Sequence, residues 1–258
     1  MKIAVIIKRV PDTASLIKIG PDGKSIAMEG LKFILSPYDE HAVEQAMLIK
    51  EAGAADVIVV SAGGEECKEI MRVALAMGAD SGLLIKDARL ASASSKNVAV
   101  ALAAALKTLQ PDLIFAGKQA VDDDASQVGE RVAEIMGIPH VSTVTAFKLL
   151  ESKATVSREL EGGNYTMEVN LPALFTTQKG INVPRYPTLP NIMKAKKKDI
   201  KELSLAELGL SDADAGSPLE TCSFEAPKPR SAGKILEGDN TNRVNQLIKA
   251  LHEVHKAF

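Results

Sequence analysis

Tryptophan is absent from the chain, and aromatic residues make up only 3% of its 258 positions. The stacking platforms that hold single-stranded nucleic acid are therefore missing. Cysteine is nearly as scarce. Cys67 and Cys222 stand far apart and outside any CxxC spacing, which argues against a disulfide framework or a zinc site and fits a reducing compartment. Neither sign of charge dominates: the formal net charge of −2 offers no broad basic face for nucleic acid. No apolar run reaches the roughly 18 to 20 residues of a bilayer-spanning helix, so membrane insertion is not expected. The opening "MKIAVIIKRVPD" has one lysine before a short apolar run and no small-residue cleavage site after it. It reads as a first strand rather than a signal or transit peptide. No nucleophile–base pair or metal cluster emerges either. His41, His140, His252 and His255 lie outside ligand spacings, and the last two are placed to complement a helix C-terminus. Such a chain is expected to bind or carry rather than to catalyse.

What is present is the balance of a globular protein, 46% hydrophobic and 25% charged. The runs "KIAVIIK", "AADVIVVSAGG", "SGLLIK" and "DLIFAG" are apolar throughout. Between them lie amphipathic patterns over Tyr38–Ala52, Glu65–Met77 and Ser94–Leu109. Strands of this kind separated by helices predict a parallel sheet covered on both faces. Ile17–Ile19 and Ser25–Ala27, split by "GPDGK", read as a small inserted hairpin. From about His140 the texture changes: "VSTVTAFKLL", "KATVSREL", "YTMEVNL" and "ALFTTQ" predict antiparallel strands finishing the sheet edge. Residues 211–240 are rich in Ser, Asp, Gly and Pro, which predicts an extended arm. A closing helix over Thr241–Lys256 carries the stripe Val244, Leu247, Ile248, Leu251 and Val254. That stripe has to dock, either on its own domain or on a partner. The division expected is a nucleotide-binding unit over 1–210 and a docking arm with helix over 211–258.

The stretch "GKQAVDDDASQVGERVAE" sets three aspartates after a buried strand. Asp124 and Gln127 fit a capping box, followed by a buried helical face of Val128, Val132, Ile135 and Met136 and a stop at Gly137. Capping leaves Gly117, Lys118, Gln119, Asp122 and Asp123 unexplained. A strand end passing through glycine to a helix N-terminus is also an anion site, since main-chain N–H groups and the helix dipole point outward. Spacing leaves both readings open. If a nucleotide binds, the carboxylates favour a monophosphate or diphosphate on N–H groups over a metal-bound triphosphate. "SAGGEE" (Ser61–Glu66) is a second such junction, and "VPDT" and "SPYDEHAVE" can line the same crevice. The segment "VPRYPTLPNIMKAKKK" is either a turn before solvated lysines or a preordered apolar knob beside cations, with Leu189 held outward between Pro187 and Pro190.

Together, "GKQAVDDDASQVG", "VSRELEGGNYTMEVNLPALFTT", "VPRYPTLPNIMKAKKK" and "ALAMGAD" closely resemble the beta (small) subunit of electron transfer flavoproteins along nearly the whole chain. The resemblance implies a heterodimer in which an alpha subunit holds the redox-active FAD and the beta subunit binds AMP. It assigns the AMP contacts to Ile6, Ser36, Pro37, Tyr38, Asp39, Ala62, Gly117, Lys118, Gln119, Ala120, Val121, Asp122, Asp123, Asp124, Ala125, Ser126, Gln127 and Val128. It makes Pro187, Thr188, Leu189, Pro190, Asn191, Ile192, Met193 and Lys194 the loop that docks acyl-CoA dehydrogenases. Electrons would pass on to an electron-transfer flavoprotein:quinone oxidoreductase, in the cytoplasm or, in a eukaryote, the mitochondrial matrix.

The chain departs from the family pattern in places. Asn164-Tyr165 replaces a usual glutamate after the glycines, Ser36 a common asparagine, and Thr13 a tyrosine near the flavin in some AMP-type members. Bifurcating relatives, which carry a second FAD in the beta subunit and take electrons from NADH, share "VPDT" but have glycine where Asp123 stands. AMP is thus the expected ligand, FAD in this subunit the alternative, and a stand-alone nucleotide-binding regulator a third reading. The fold expected is α/β, a doubly wound and mostly parallel sheet (adenine nucleotide alpha-hydrolase-like), with antiparallel edge strands and a C-terminal arm plus helix. ATP-splitting relatives of that fold carry Ser-Gly-Gly-x-Asp-Ser where this chain has "SAGGEE", which argues against that chemistry.

Overall fold

The apolar runs of the first half pair side by side, all in one direction. In the computed structural model, which describes residues 1–53, 55–217, 219–230, 232–254 and 256, strand β1 (Lys2–Ile6) lies between β4 (Asp56–Gly63) and β6 (Leu113–Gly117). Strand β5 (Ser81–Lys86) flanks β4, also parallel. Alternate residues go to opposite faces. Ile3, Val5 and Phe115 join the core beneath helices α1 (Pro37–Ala52) and α2 (Cys67–Met77). Ala4, Ile6 and Ile114 join the core beneath α3 (Ser95–Leu109) and α4 (Val128–Met136). Burial on both faces is why these strands are apolar at every position.

The full sheet has nine strands in the order β11-β5-β4-β1-β6-β10-β7-β8-β9. From β1 the chain steps outward to β4 and β5, then returns to place β6 on the other side of β1. That reversal opens a crevice beyond the carboxyl ends of β1 and β6, the place where open α/β sheets take ligands.

The second half follows the expected pattern with one correction. Strands β7 (His140–Leu149), β8 (Lys153–Leu160) and β9 (Gly163–Asn170) are antiparallel to one another at the sheet edge. Strand β10 (Ala173–Thr177), expected to continue that series, instead runs parallel between β6 and β7. All five of its residues, Thr176 and Thr177 included, are buried, and a strand buried on both faces belongs inside the sheet. There Phe175 meets Phe115 and Phe147 with ring centroids 6.0 and 5.2 Å away. Phe115 and Phe147 themselves pack edge-on at 5.2 Å. Three of the six phenylalanines of an aromatic-poor chain thus tie the parallel and antiparallel halves together. The short edge strand β11 (Ile200–Leu203) beside β5 has no counterpart in the sequence reading.

The inserted hairpin shrinks to one bridge, Ile19 to Ile26. Its turn is held by the Asp22 carboxylate, which accepts from Lys24 N, Ser25 N and Ser25 Oγ. The true two-stranded unit encloses it: β2 (Arg9–Pro11) pairs antiparallel with β3 (Phe33–Leu35). At the far end, Ala215 of the short helix α6 (Asp212–Ala215) is buried, and no described side chain beyond it is. The arm that follows touches the insert through Phe224 N, which donates to Gly23 O at 2.7 Å. Helix α7 (Asn240–Lys249) is capped by Asp239, which accepts from Asn242 N at 2.8 Å, and continues as a π turn over Ala250–Val254. Its Val244, Leu247 and Ile248 are half-exposed, so this stripe does not fold back on the sheet. The Val254 side chain and His255, both part of the sequence reading, lie outside the described residues. No helix among the described residues is long and apolar enough to cross a membrane.

Candidate functional site

Ile6 ends β1, Gly117 ends β6, and the first turn of α1 is pressed against both. A Cβ at Gly117 would stand 2.5 Å from Asp39 Oδ1 and 2.7 Å from Tyr38 Cβ, so only glycine admits this approach. Asp39, in the first turn of α1 after Pro37, is buried. Its carboxylate accepts Lys8 N at 2.7 Å and Gly117 N at 2.9 Å, which fastens the ends of β1 and β6 to each other. Burial pushes the Asp39 pKa up to about 7; the two N–H groups and the Lys8 charge pull against it. Thr177 Oγ1 adds a bond to Tyr38 O at 3.1 Å from β10. Ser36, just before the helix, is 0% exposed, yet its hydroxyl has no hydrogen-bond partner. An orphaned buried hydroxyl is uncommon and calls for a partner.

The loop from Lys118 to Gln127 then crosses the crevice, and it corrects the capping expectation. Helix α4 begins at Val128, its N-cap is Gln127, and no side chain caps it. Asp124 (φ +48°) and Ser126 (φ +49°) are both left-handed, so the chain is still turning where a capping box would need extended backbone. The Asp124 carboxylate instead accepts Gln119 Nε2 at 2.6 Å. Gln127 Oε1 faces forward, accepting from Arg131 Nη2 at 2.9 Å. The helix's buried face is also narrower than the sequence pattern: Val132 and Ala133 are fully buried, but Ile135 is exposed. Gly137 ends it in the left-handed conformation, as expected.

The three aspartates are all committed inside the protein. Lys8 Nζ lies 2.9 Å from Asp122 and 3.2 Å from Asp123. Asp122 also accepts Asp123 N, and Asp123 accepts Ala125 N. No group of three or more His, Cys, Asp or Glu able to hold a metal ion occurs among the described residues. Lys118, at the mouth of the loop, pairs with no carboxylate among them, and its ammonium lies 5.7 Å from the Tyr38 ring centroid. The first N–H groups of α4 have no partner within the helix, as at any helix start. Of the predicted residues, Asp39 is joined to Gly117, Lys118 lies beside Tyr38, and Asp122 and Asp123 reach back to Lys8, just past the end of β1 at Ile6. Sequence reasoning missed Lys8, although a lysine directly after the first strand in a chain with an aspartate triplet was its visible signal.

At the second junction, Ser61 Oγ donates to Ile7 O at 2.9 Å inside the core. The Glu66 carboxylate folds over Gly64, 2.3 Å from where a Cβ would stand. Glu65 is held by Lys68 and Lys86, whose hydrogen bonds bring its pKa down to about 2. Ala62 lies on this strand, β4, one place before its last residue.

A separate surface is formed by residues 183–194. Leu189 opens the short helix α5 (Leu189–Ala195) and is 74% exposed; Ile192 and Met193 are exposed beside it. Both flanks are pinned. On one side Arg185 binds Glu44 through Nε at 2.8 Å and Nη2 at 2.9 Å, and also Glu51. Asn182 Nδ2 donates to His41 O at 3.0 Å. On the other side Arg72 Nη1 donates to Ala195 O at 2.7 Å and Lys198 O at 2.6 Å.

The sequence of this chain has counterparts among known proteins. The family model for the electron transfer flavoprotein domain matches residues 24–208. Similar chains are the electron transfer flavoprotein subunit beta of Bacillus subtilis, 37% identical over 100% of both chains, and that of Syntrophomonas wolfei, 42% identical over 93% of this chain and 91% of the other. The mouse protein of the same name is 39% identical over 98% of each. The chain belongs to the electron transfer flavoprotein subunit beta family.

Proposed function

We propose that this chain is the beta subunit of a heterodimeric electron transfer flavoprotein and binds AMP in the β1–β6 crevice. The observation that carries the reading is the fully buried, unpartnered Ser36 hydroxyl, next to Lys8, whose ammonium engages two carboxylates of a loop whose third is held by Gln119. Such a site receives an anion through N–H groups and hydroxyls without needing a metal. The first turn of α4, Ser36 and Lys118 would hold the phosphate, while Asp39 and Gly117 would keep the strand ends in place. AMP performs no redox chemistry; its role is structural.

FAD, held mainly by the alpha subunit, supplies the electron chemistry. The beta subunit acts as a scaffold, carrying no catalytic residues of its own. Electrons enter from acyl-CoA dehydrogenases that dock on Leu189 and its neighbours, and leave to an electron-transfer flavoprotein:quinone oxidoreductase. The arm and α7 embrace the alpha subunit, which gives the half-exposed stripe its cover. The work takes place in the cytoplasm, or in the mitochondrial matrix of a eukaryote.

The test is to purify the chain with its alpha subunit, release the nucleotides with acid and count them. One FAD and one AMP per heterodimer is the expected result. Two FAD and no AMP would replace it with the bifurcating reading, in which NADH is the donor. A stable lone monomer that associates with no flavin-bearing chain would overturn the heterodimer and favour the regulator.

A further inference from the structure

Lys8 joins three parts of the crevice's frame. Its N–H goes to Asp39 at 2.7 Å, its carbonyl accepts Ser36 N at 3.1 Å, and its ammonium reaches Asp122 and Asp123 on the loop. Those contacts span the end of β1, the start of α1 and the loop after β6. Burial pulls the Lys8 pKa down, but the hydrogen bond and charge of Asp122 and then Asp123 outweigh it, so the ammonium stays charged.

The acidic loop poses an electrostatic problem that Lys8 resolves. Two carboxylates beside an anion site would repel any phosphate entering it. Asp124 and Asp39 are acids as well, so neither can offset them; the first accepts from the Gln119 amide and the second from two main-chain N–H groups. Lys118 sits by the Tyr38 ring and forms no ion pair with either. We infer that Lys8 is a positioning residue for a phosphate carried in this crevice: fixed through its main chain, it neutralises Asp122 and Asp123 and holds the loop in its anion-accepting form. The inference rests on the anion-binding reading above and extends it to a residue that does not itself touch the ligand.

The test uses the full chain purified with its alpha subunit, with the flavin of the alpha subunit left in place and nucleotide removed from the crevice, titrated calorimetrically with AMP and, separately, with FAD. Whichever probe binds the unaltered protein is carried forward. Lys8→Met should weaken its binding about tenfold at low salt, the order expected for uncompensated charge at protein-surface dielectric. The deficit should shrink at about 0.5 M salt, where such interactions are screened. The triple variant Lys8→Met, Asp122→Asn, Asp123→Asn should bind within about twofold of the unaltered protein, because the charges needing neutralisation are gone. A purely structural lysine would give no such rescue. If Lys8→Met binds as tightly as the unaltered protein, or the triple variant is as weak as the single, the inference falls while the crevice reading stands. If neither probe binds the unaltered protein, both fall.

Discussion

At the end of β4 the chain turns into α2 almost at once, through Gly64, Glu65 and Glu66; at the end of β6 it travels from Lys118 to Gln127 before α4 begins. Both junctions place glycine between a buried strand and a helix N-terminus. At the first, the protein supplies its own carboxylate, Glu66, folded over Gly64, and the nearby Ser61 hydroxyl is used in the core. At the second, the carboxylates are drawn off by Lys8 and Gln119, and the nearby Ser36 hydroxyl has no partner. The difference teaches that a strand–glycine–helix signature does not by itself define an anion site. On the anion-binding reading proposed above, what separates the two is whether the neighbouring carboxylates are neutralised by other groups.

The largest expected break in that comparison comes from Asp39→Ala. It would strand the N–H groups of Lys8 and Gly117, at about 1–3 kcal/mol each, read as a lowered denaturation midpoint. The pH dependence has a definite sign. Because burial raises the Asp39 pKa from the usual carboxylate range to about 7, the folded state holds a proton that the unfolded state has lost. This contribution to stability is fully present below about pH 4 and is lost as pH rises through 7. Urea midpoints of the unaltered protein should carry that downward slope, and Asp39→Asn should lack it; equal slopes would show that the carboxyl is not the source.

Next in size is a matched pair of glycines. Gly117→Ala should cost about 1–3 kcal/mol, because the new methyl meets the packed Tyr38 and Asp39. Gly64→Ala meets only the end of the Glu66 side chain, which can swing away, and should change stability by less than about 0.5 kcal/mol. Equal effects in thermal melting would erase the distinction drawn between the junctions. The smallest change in stability belongs to Leu189→Ala, within about 0.5 kcal/mol for so exposed a side chain. Its effect should be kinetic: slower reduction by acyl-CoA dehydrogenases in stopped-flow absorbance, with heterodimer assembly intact. Unchanged rates would remove the docking role.

The elements of the first half were legible because two-faced burial and helical periodicity are local properties, written within each segment. The direction of β10 was not, since "ALFTT" reads alike whether it runs up or down the sheet; only its place between Phe115 and Phe147 fixes it. Asp124 and Gln127 read as a capping box because Asp-Ala-Ser-Gln matches one in sequence, while the left-handed backbone at Asp124 and Ser126 leaves no trace in residue type. The contacts that build the crevice join residues far apart in the chain. Lys8 and Asp122 are separated by 114 positions, and Arg185 reaches Glu44 across 141. The residues gathered at the crevice were largely named from family resemblance; the roles of Lys8 and Asp39 in framing it required the folded chain.

Pinning the 183–194 segment at both ends has a consequence for whatever meets Leu189. A floppy projection would have to be frozen on contact, at roughly 0.5–1.5 kcal/mol for each side chain immobilised. Here the Arg185 clamp on α1 and the Arg72 clamp on α2 have done that ordering during folding. A partner docking on Leu189, as proposed above, would thus meet an apolar tip whose ordering cost is already met, and a small contact would suffice to hold it.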